Sequence, residues 1–158
     1  MITQTLETLK DYWQQLALSY EYNDVKVLTF KIGNYYDAAN SGHDKYPLVF
    51  WEMPYSINMN LNKPLDTVQV SLSVFLSTKQ DNEIDAHQVI SKAKEIGDAI
   101  ILRASAENKV TTTGFSVDAA NSLSVREYSD DYVAGVRYDL TLTVVRDLCD
   151  VNLDDYFN

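Results

Sequence analysis

The sequence predicts an α+β fold, a mostly antiparallel β-sheet with two helices packed on one face, in the order α-β-β-β-α-β-β. Three observations predict it. Two long segments, Thr67 to Leu76 and Ala134 to Val144, alternate apolar and polar residues with a period of two. Two other segments carry apolar stripes at helical spacing. Between them lie short clusters of Asn, Asp, Ser, Gly and Pro, the chemistry of turns.

The first element is an amphipathic helix. Ile2, Leu6, Leu9, Trp13, Leu16 and Tyr20 recur at alternating steps of four and three. Thr3 or Thr5 can cap it, and Glu7 suits its positive end. Asp24 starts a break, and Val25 to Ile32 reads as a strand with Leu28, Phe30 and Ile32 on one face. The polar stretch Gly33 to Lys45 is long for a compact domain, so it is expected to be functional or mobile.

Tyr46 to Met53 is densely apolar, Pro54 interrupts it, and Tyr55, Ile57, Met59 and Leu61 then alternate with Ser56, Asn58 and Asn60. These read as two strand halves joined by a Pro bend, or as an edge strand with a bulge. Asn62, Lys63 and Pro64 make a turn. In the strand that follows, Val68, Val70, Leu72, Val74 and Leu76 share one face.

Asp81 or Asn82 can cap a second helix, with Glu83 and Asp85 in its first turn. Its core stripe runs through Ala86, Val89, Ile90, Ala93, Ile96, Gly97, Ile100, Ile101 and Ala104. Gly97 costs about 1 kcal/mol of helix propensity relative to Ala, so its expected use is close approach of helix to sheet. Leu102 lies on the opposite side, a candidate partner contact or a single exposed Leu near a helix end. Phe115 to Val125 is expected as a strand broken at Ala119, Ala120 and Asn121, followed by a turn at Ser129, Asp130 and Asp131. Tyr132 to Val145 is the last strand, with Arg137, Asp139, Thr141 and Thr143 on its polar face. That face lacks His, Cys and Lys, so it reads as a surface that stays wet or meets another copy.

At 158 residues the chain reads as one domain, residues 1–146, with an acidic tail, residues 147–158. A chain of this size buries ~68–70% of its unfolded surface and needs no disulfide or metal staple. One cysteine, Cys149, excludes an intrachain disulfide. No signal peptide and no membrane span of about 20 apolar residues is read from the pattern. The formal charge is −10, and Glu127 to Asn158 holds eight acids against two bases, a net −6 of it. Such a surface disfavours wrapping DNA or anionic membranes. Eleven tyrosines offer apolar area with a polar tip, a composition suited to interfaces.

The catalytic signals are weak. His43 and His87 have no His or Cys at metal-ligand spacing. There is no Gly-x-Ser-x-Gly elbow and no Gly-rich phosphate loop. Asp81, Glu83 and Asp85 resemble the opening of a calcium loop, but the sixth-position Gly and closing Glu are missing, so a helix cap is preferred. Carboxylates beside Cys149 would raise its thiol pKa, so it reads as a packed residue. No cofactor is expected. Trp51, Tyr55, Tyr35 and Tyr36 could line a groove, and packing or association is the preferred role.

Over Phe115 to Cys149 the chain resembles phage tail-terminator and tail-completion proteins, ring-forming neck components, particularly versions from phages of Bacteroidetes hosts. Gly135, Asp139, Leu140, Leu142 and Val144 match a closing strand of the type Gly-x-x-x-Asp-Leu-x-Leu-x-Val, followed by Asp147, Leu148, Cys149 and Asp150. Leu48 to Pro54 is similar to the family's strand before its hairpin. The resemblance implies a non-enzymatic virion protein, assembled in the host cytoplasm, forming a homo-oligomeric ring of six or twelve copies between head connector and tail. Its partners would be neighbouring neck and tail proteins, with DNA passing the lumen without specific binding and no membrane contact. Candidate interface residues are Tyr35, Tyr36, Trp51, Tyr55, Leu102, Arg137 and Asp139, and candidate lumen or tail acids are Asp130, Asp131, Asp154 and Asp155. Acids facing a lumen would repel passing DNA within a screening length of ~8 Å. Two other readings stay open: a soluble protein-binding module using the Tyr-rich loop 33–45, and a small enzyme with Asp37, Asp44 or Glu52 as acid or base.

Overall fold

A helix layer lies across one face of a mixed β-sheet in the computed structural model, which describes residues 3–34, 44–53, 55–79, 82–128 and 132–146. The elements in chain order are α1 (Leu6–Leu18), β1 (Glu21–Tyr22), β2 (Val25–Lys26), β3 (Thr29–Gly33), β4 (Leu48–Glu52), β5 (Ser56–Met59), β6 (Leu65–Ser77), α2 (Glu83–Glu107), α3 (Val110–Thr113), β7 (Phe115–Tyr128) and β8 (Tyr132–Val145). The α+β class and the two long helices agree with the sequence reading. The element order does not, because the chain adds a small hairpin, a short helix α3 and a split of the first expected strand.

Thr5 caps α1: the Thr8 amide donates to its hydroxyl at 3.1 Å, and the Thr5 amide donates to Thr8 Oγ1 at 2.9 Å. Leu9, Trp13 and Ala17 form the buried stripe. Asn23 and Asp24 both hold positive φ, 48° and 62°. These residue types tolerate that conformation, and two in a row close β1 onto β2. The expected single strand from Val25 to Ile32 therefore changes partner midway: β2 pairs with β1, and β3 pairs with β4.

The β3–β4 pair is parallel, the exception in an otherwise antiparallel sheet. A parallel pair cannot be joined by a tight turn, because the chain must return to the starting end. The connection after Gly33 must therefore make that return. Residues 35–43 within it, most of the stretch expected to be functional or mobile, lie outside the described residues. The sheet order is β3-β4-β6-β8-β7, with β5 also on β6. β4 and β5 occupy successive stretches of the same side of β6: Leu48–Trp51 pair with Leu72–Phe75, and Ser56–Met59 with Asp66–Gln69.

The main core lies between sheet and helices. Val136, Tyr138, Leu140, Leu142 and Val144 of β8 and Val68, Val70, Leu72 and Val74 of β6 meet Leu9, Trp13, Ala93, Ile96 and Ile100. Trp13 and Trp51 stack at a tilt, with ring centroids 5.6 Å apart. At Gly97 the helix reaches its nearest approach, and an added β-carbon would overlap the Tyr138 ring. Gly135 plays the same part inside the sheet, where a β-carbon would overlap the Val74 carbonyl.

The opposite face is not wholly polar. Leu48, Phe50, Phe75 and Val133 form a second buried cluster, with Tyr46 and Val125 against it. β4 therefore has both faces covered, which is why its sequence is a continuous apolar run rather than an alternation. β7 is one unbroken strand. The expected break near Ala119 is a register shift between Val117 and Ala119, one residue bulged while pairing with β8 continues.

Candidate functional site

The remainder of the second face carries a polar cluster that joins three adjacent strands. Arg137 on β8 donates from Nε to Glu52 Oε2 at 2.9 Å and from Nη2 to Glu52 Oε1 at 3.2 Å. The same Nη2 donates to Ser71 Oγ on β6 at 3.0 Å, and Ser71 donates to Asp139 Oδ1 at 2.6 Å. Asp139 lies 3.4 Å from Arg137 Nη2. Strand register brings these together: Ser71 pairs with Asp139, Ser73 with Arg137, and Asn121 of β7 with Asp139. Because β4 ends at Glu52 and β5 begins at Ser56, β6 has no described strand neighbour on that side at Val70 and Ser71, where only β8 pairs with it. A cleft of about 360 Å³ opens there, lined by Glu52, Ser56, Gln69, Ser71, Asn121 and Arg137 among others.

The fork of Arg137 on Glu52 is bidentate, the geometry in which a guanidinium fixes a carboxylate most firmly. Glu52 is half-buried beside a permanent cation and is held as an ion-pair partner. Asp44, the other described carboxylate considered as an acid or base, pairs with Lys31 at 2.9 Å. Asp37 lies outside the described residues. Among the described residues no group of three His, Cys, Asp or Glu side chains is placed to hold a metal ion. Nor is any helix among them long and apolar enough to cross a membrane.

The sequence-predicted site residues separate in the structure. Arg137 and Asp139 come together in this cluster. Trp51 does not reach the surface. It is 2% exposed, and its Nε1 donates to the Tyr55 hydroxyl at 2.7 Å, so its candidacy as an interface residue is corrected: the indole completes the core. Tyr55 is half-buried against it, and burial raises its phenol pKa. Leu102 is 69% exposed on the outer side of α2, far from the polar cluster in the layering of the fold. Tyr35, Tyr36, Asp130, Asp131, Asp154 and Asp155 lie outside the described residues.

On the helix side, a groove of about 550 Å³ runs between α1 and α2 past Tyr12, Leu16, Tyr20, Ile100 and Arg103. The Tyr12 hydroxyl accepts from Asn108 Nδ2 at 2.6 Å and donates to Glu107 Oε2 at 3.3 Å, so polar bonds clamp α1 to the end of α2.

Sequence reasoning missed two features. One is the Glu52–Arg137 fork, because a polar residue at the end of an apolar strand gives no sign of its cross-strand partner. The other is the margin of the sheet. Among the described residues β7 pairs only with β8, and Asp118 to Ser124 are exposed along it. The available signal was the weak alternation of Ala119, Ala120, Asn121, Ser122, Leu123 and Ser124, which suits a strand with neither face fully covered.

No protein-family model matches this sequence, and no curated protein matches it.

Proposed function

We propose that this chain is a non-enzymatic structural subunit that assembles with copies of itself into a ring, in the manner of a phage tail-terminator or neck protein. The observation that carries the reading is the combination of one helix-covered sheet face with a long sheet margin that no described strand covers. Such a subunit has its hydrophobic needs met within the chain but keeps backbone pairing capacity for a neighbour. The polar cluster fits the same role. Its carboxylates are engaged by Arg137 and Ser71, so it serves as a rigid, wet surface. The virion setting, the partners above and below the ring, and passage of DNA through its lumen rest on the resemblance of the closing strand around Gly135 to Val144.

Native mass of the purified chain across a concentration series tests the proposal. A closed oligomer of six or twelve 18.0 kDa chains supports it. A mass that stays at one chain throughout overturns it in favour of a binding module.

A further inference from the structure

We infer that copies of this chain join head to tail through their sheets, with β7 of one copy pairing antiparallel to β5 of the next. The inference rests on the ring reading above and names its contact. Four observations carry it.

The first is an edge without protection. Edge strands in soluble proteins are usually blunted by Lys, Pro, inward charges or a bulge in the exposed stretch. From Ala119 to Val125 the strand reads Ala-Ala-Asn-Ser-Leu-Ser-Val, with no charge, Pro or Gly. Its bulge lies before that window, between Val117 and Ala119. In a chain of net charge −10 this neutral stretch, exposed from Ala119 to Ser124, is a place where two copies approach without placing like charges in contact.

The second is a matching edge on the opposite margin. All four residues of β5, Ser56, Ile57, Asn58 and Met59, are exposed and neutral, and among the described residues they pair only with β6. One contact that uses two different edges propagates from copy to copy and closes where rotation allows.

The third is polarity. β5 runs antiparallel to β6, β6 to β8, and β8 to β7. β5 is therefore antiparallel to β7. A copy placed alongside with its strands in the same sense and its helices on the same side meets β7 with an antiparallel β5, the pairing the sheet already uses most.

The fourth is side-chain size. On the helix side of the sheet, β5 presents Ile57 and Met59, 47% and 55% exposed, and β7 presents the small Ala120 and Ser122. On the other side β7 presents Leu123, 64% exposed, and β5 presents Ser56 and Asn58. Large meets small on both faces, as tight packing requires. A β7–β7 pairing would set Ala120 and Ser122 against their own copies and leave that side underfilled. The two windows are also offset along the strands: Ser56–Met59 pair with Gln69–Asp66 of β6, whereas Ala119–Ser124 pair with Thr141–Val136 of β8, opposite Gln69–Val74. A constant offset per copy tilts the strands, which a closed sheet needs.

The test places Asn121→Cys and Asn58→Cys, which lie on the same side of the sheet, in one chain, on a Cys149→Ser background, and treats it with a short bismaleimide. Both sites are exposed, and paired strands bring facing β-carbons to ~5 Å. The native mass of the background chain is recorded alongside. The expected result is an oligomer that yields a ladder of covalent multimers on a denaturing gel, with neither single-cysteine chain crosslinking. An oligomer without a ladder, or one in which Asn121→Cys alone gives covalent dimers, overturns this contact and leaves the ring reading standing. A chain that is monomeric at every concentration overturns both.

Discussion

The ring of Tyr138 occupies the space that a β-carbon on Gly97 would require. The added carbon would sit 2.6 Å from Tyr138 Oη and 2.7 Å from Cζ. Tyr138 rises from the centre of β8, and Gly97 is the position on α2 where the helix admits it. Its hydroxyl continues past the helix backbone to lie 3.0 Å from the Lys94 carbonyl and 2.9 Å from Asp98 Oδ1. Asp98 in turn pairs with Lys94. One glycine thus sets both the height of the helix above the sheet and the polar anchor that holds it there.

Gly97→Ala is expected to destabilise the protein. Helix propensity alone would favour Ala by about 1 kcal/mol. The overlap with a buried ring forces the helix or Tyr138 aside, which costs about 1–3 kcal/mol. A lowered denaturant midpoint with an unchanged slope confirms the balance, and a raised midpoint shows that the interface yields.

Tyr138 gives the fold an alkaline limit. Burial pushes its phenol pKa well up, and the Asp98 hydrogen bond and charge add to the shift. The folded value lies above the unfolded one, so this stability is fully present below pH ~10 and is lost as pH rises towards the folded value. Tyr138→Phe is expected to cost about 0.5–1.5 kcal/mol at pH 7 through the lost hydrogen bond. The stability difference between the two chains should narrow above pH ~10. A constant difference from pH 7 to 11 in denaturant titrations would refute the assignment.

The Glu52–Arg137 fork ties β4 to β8 across β6. Arg137→Met leaves a half-buried carboxylate with its cation gone, and Glu52→Gln leaves the guanidinium with a weaker acceptor. Each single change is expected to cost about 1–2 kcal/mol, a value reduced for partial exposure. A double-mutant cycle should return a coupling of at least ~0.5 kcal/mol. Simple additivity would mean that the pair contributes geometry without energy.

Asp85 anchors the start of α2. It accepts the Lys79 amide at 2.8 Å and the Thr78 hydroxyl at 2.9 Å, and these bonds hold its carboxyl below the ordinary range. A depressed folded pKa contributes stability above the unfolded value of ~3.9, and that stability is lost as pH falls through the folded value. Asp85→Asn should therefore melt earlier than the parent at pH 7, with the two melting temperatures converging below pH ~4. Parallel curves down to pH 2 would show that the hydrogen bonds do not depend on the charge.

Local patterns were legible wherever one face of an element alone is covered. The alternation in β6 and β8 marked their buried faces, and the expected stripe of α1 marked Leu9 and Trp13, with Leu16 and Tyr20 partly buried. Leu6 of that stripe is exposed, and Ala17, which the stripe did not include, is buried. Reading failed where an element has two different neighbours. β4 has apolar clusters on both sides, so its run carried no period. β2 and β3 belong to different sheets, and nothing within Val25 to Ile32 marks the change. At Trp51 the structure shows the preferred packing role, with Trp13 and Tyr55 against the indole, and not the candidate interface role.

By itself the sequence determined the class of fold, the two long helices, the pair of candidate caps for each (Thr3 or Thr5, Asp81 or Asn82), and the expected close approach at Gly97, and the structure selected Thr5 and Asn82. Those follow from short-range physics: side-chain period, capping hydrogen bonds and the size of one residue. Only the tertiary structure decided which strands are neighbours, that β3 and β4 run parallel, and that β5 and β7 lie on opposite margins of the described sheet. It also decided that Glu52, Ser71, Arg137 and Asp139 share one surface. Strand pairing joins residues far apart in the chain, and the backbone groups that form it are the same in every residue. The side chains record which way each strand faces, and the fold assigns its partner.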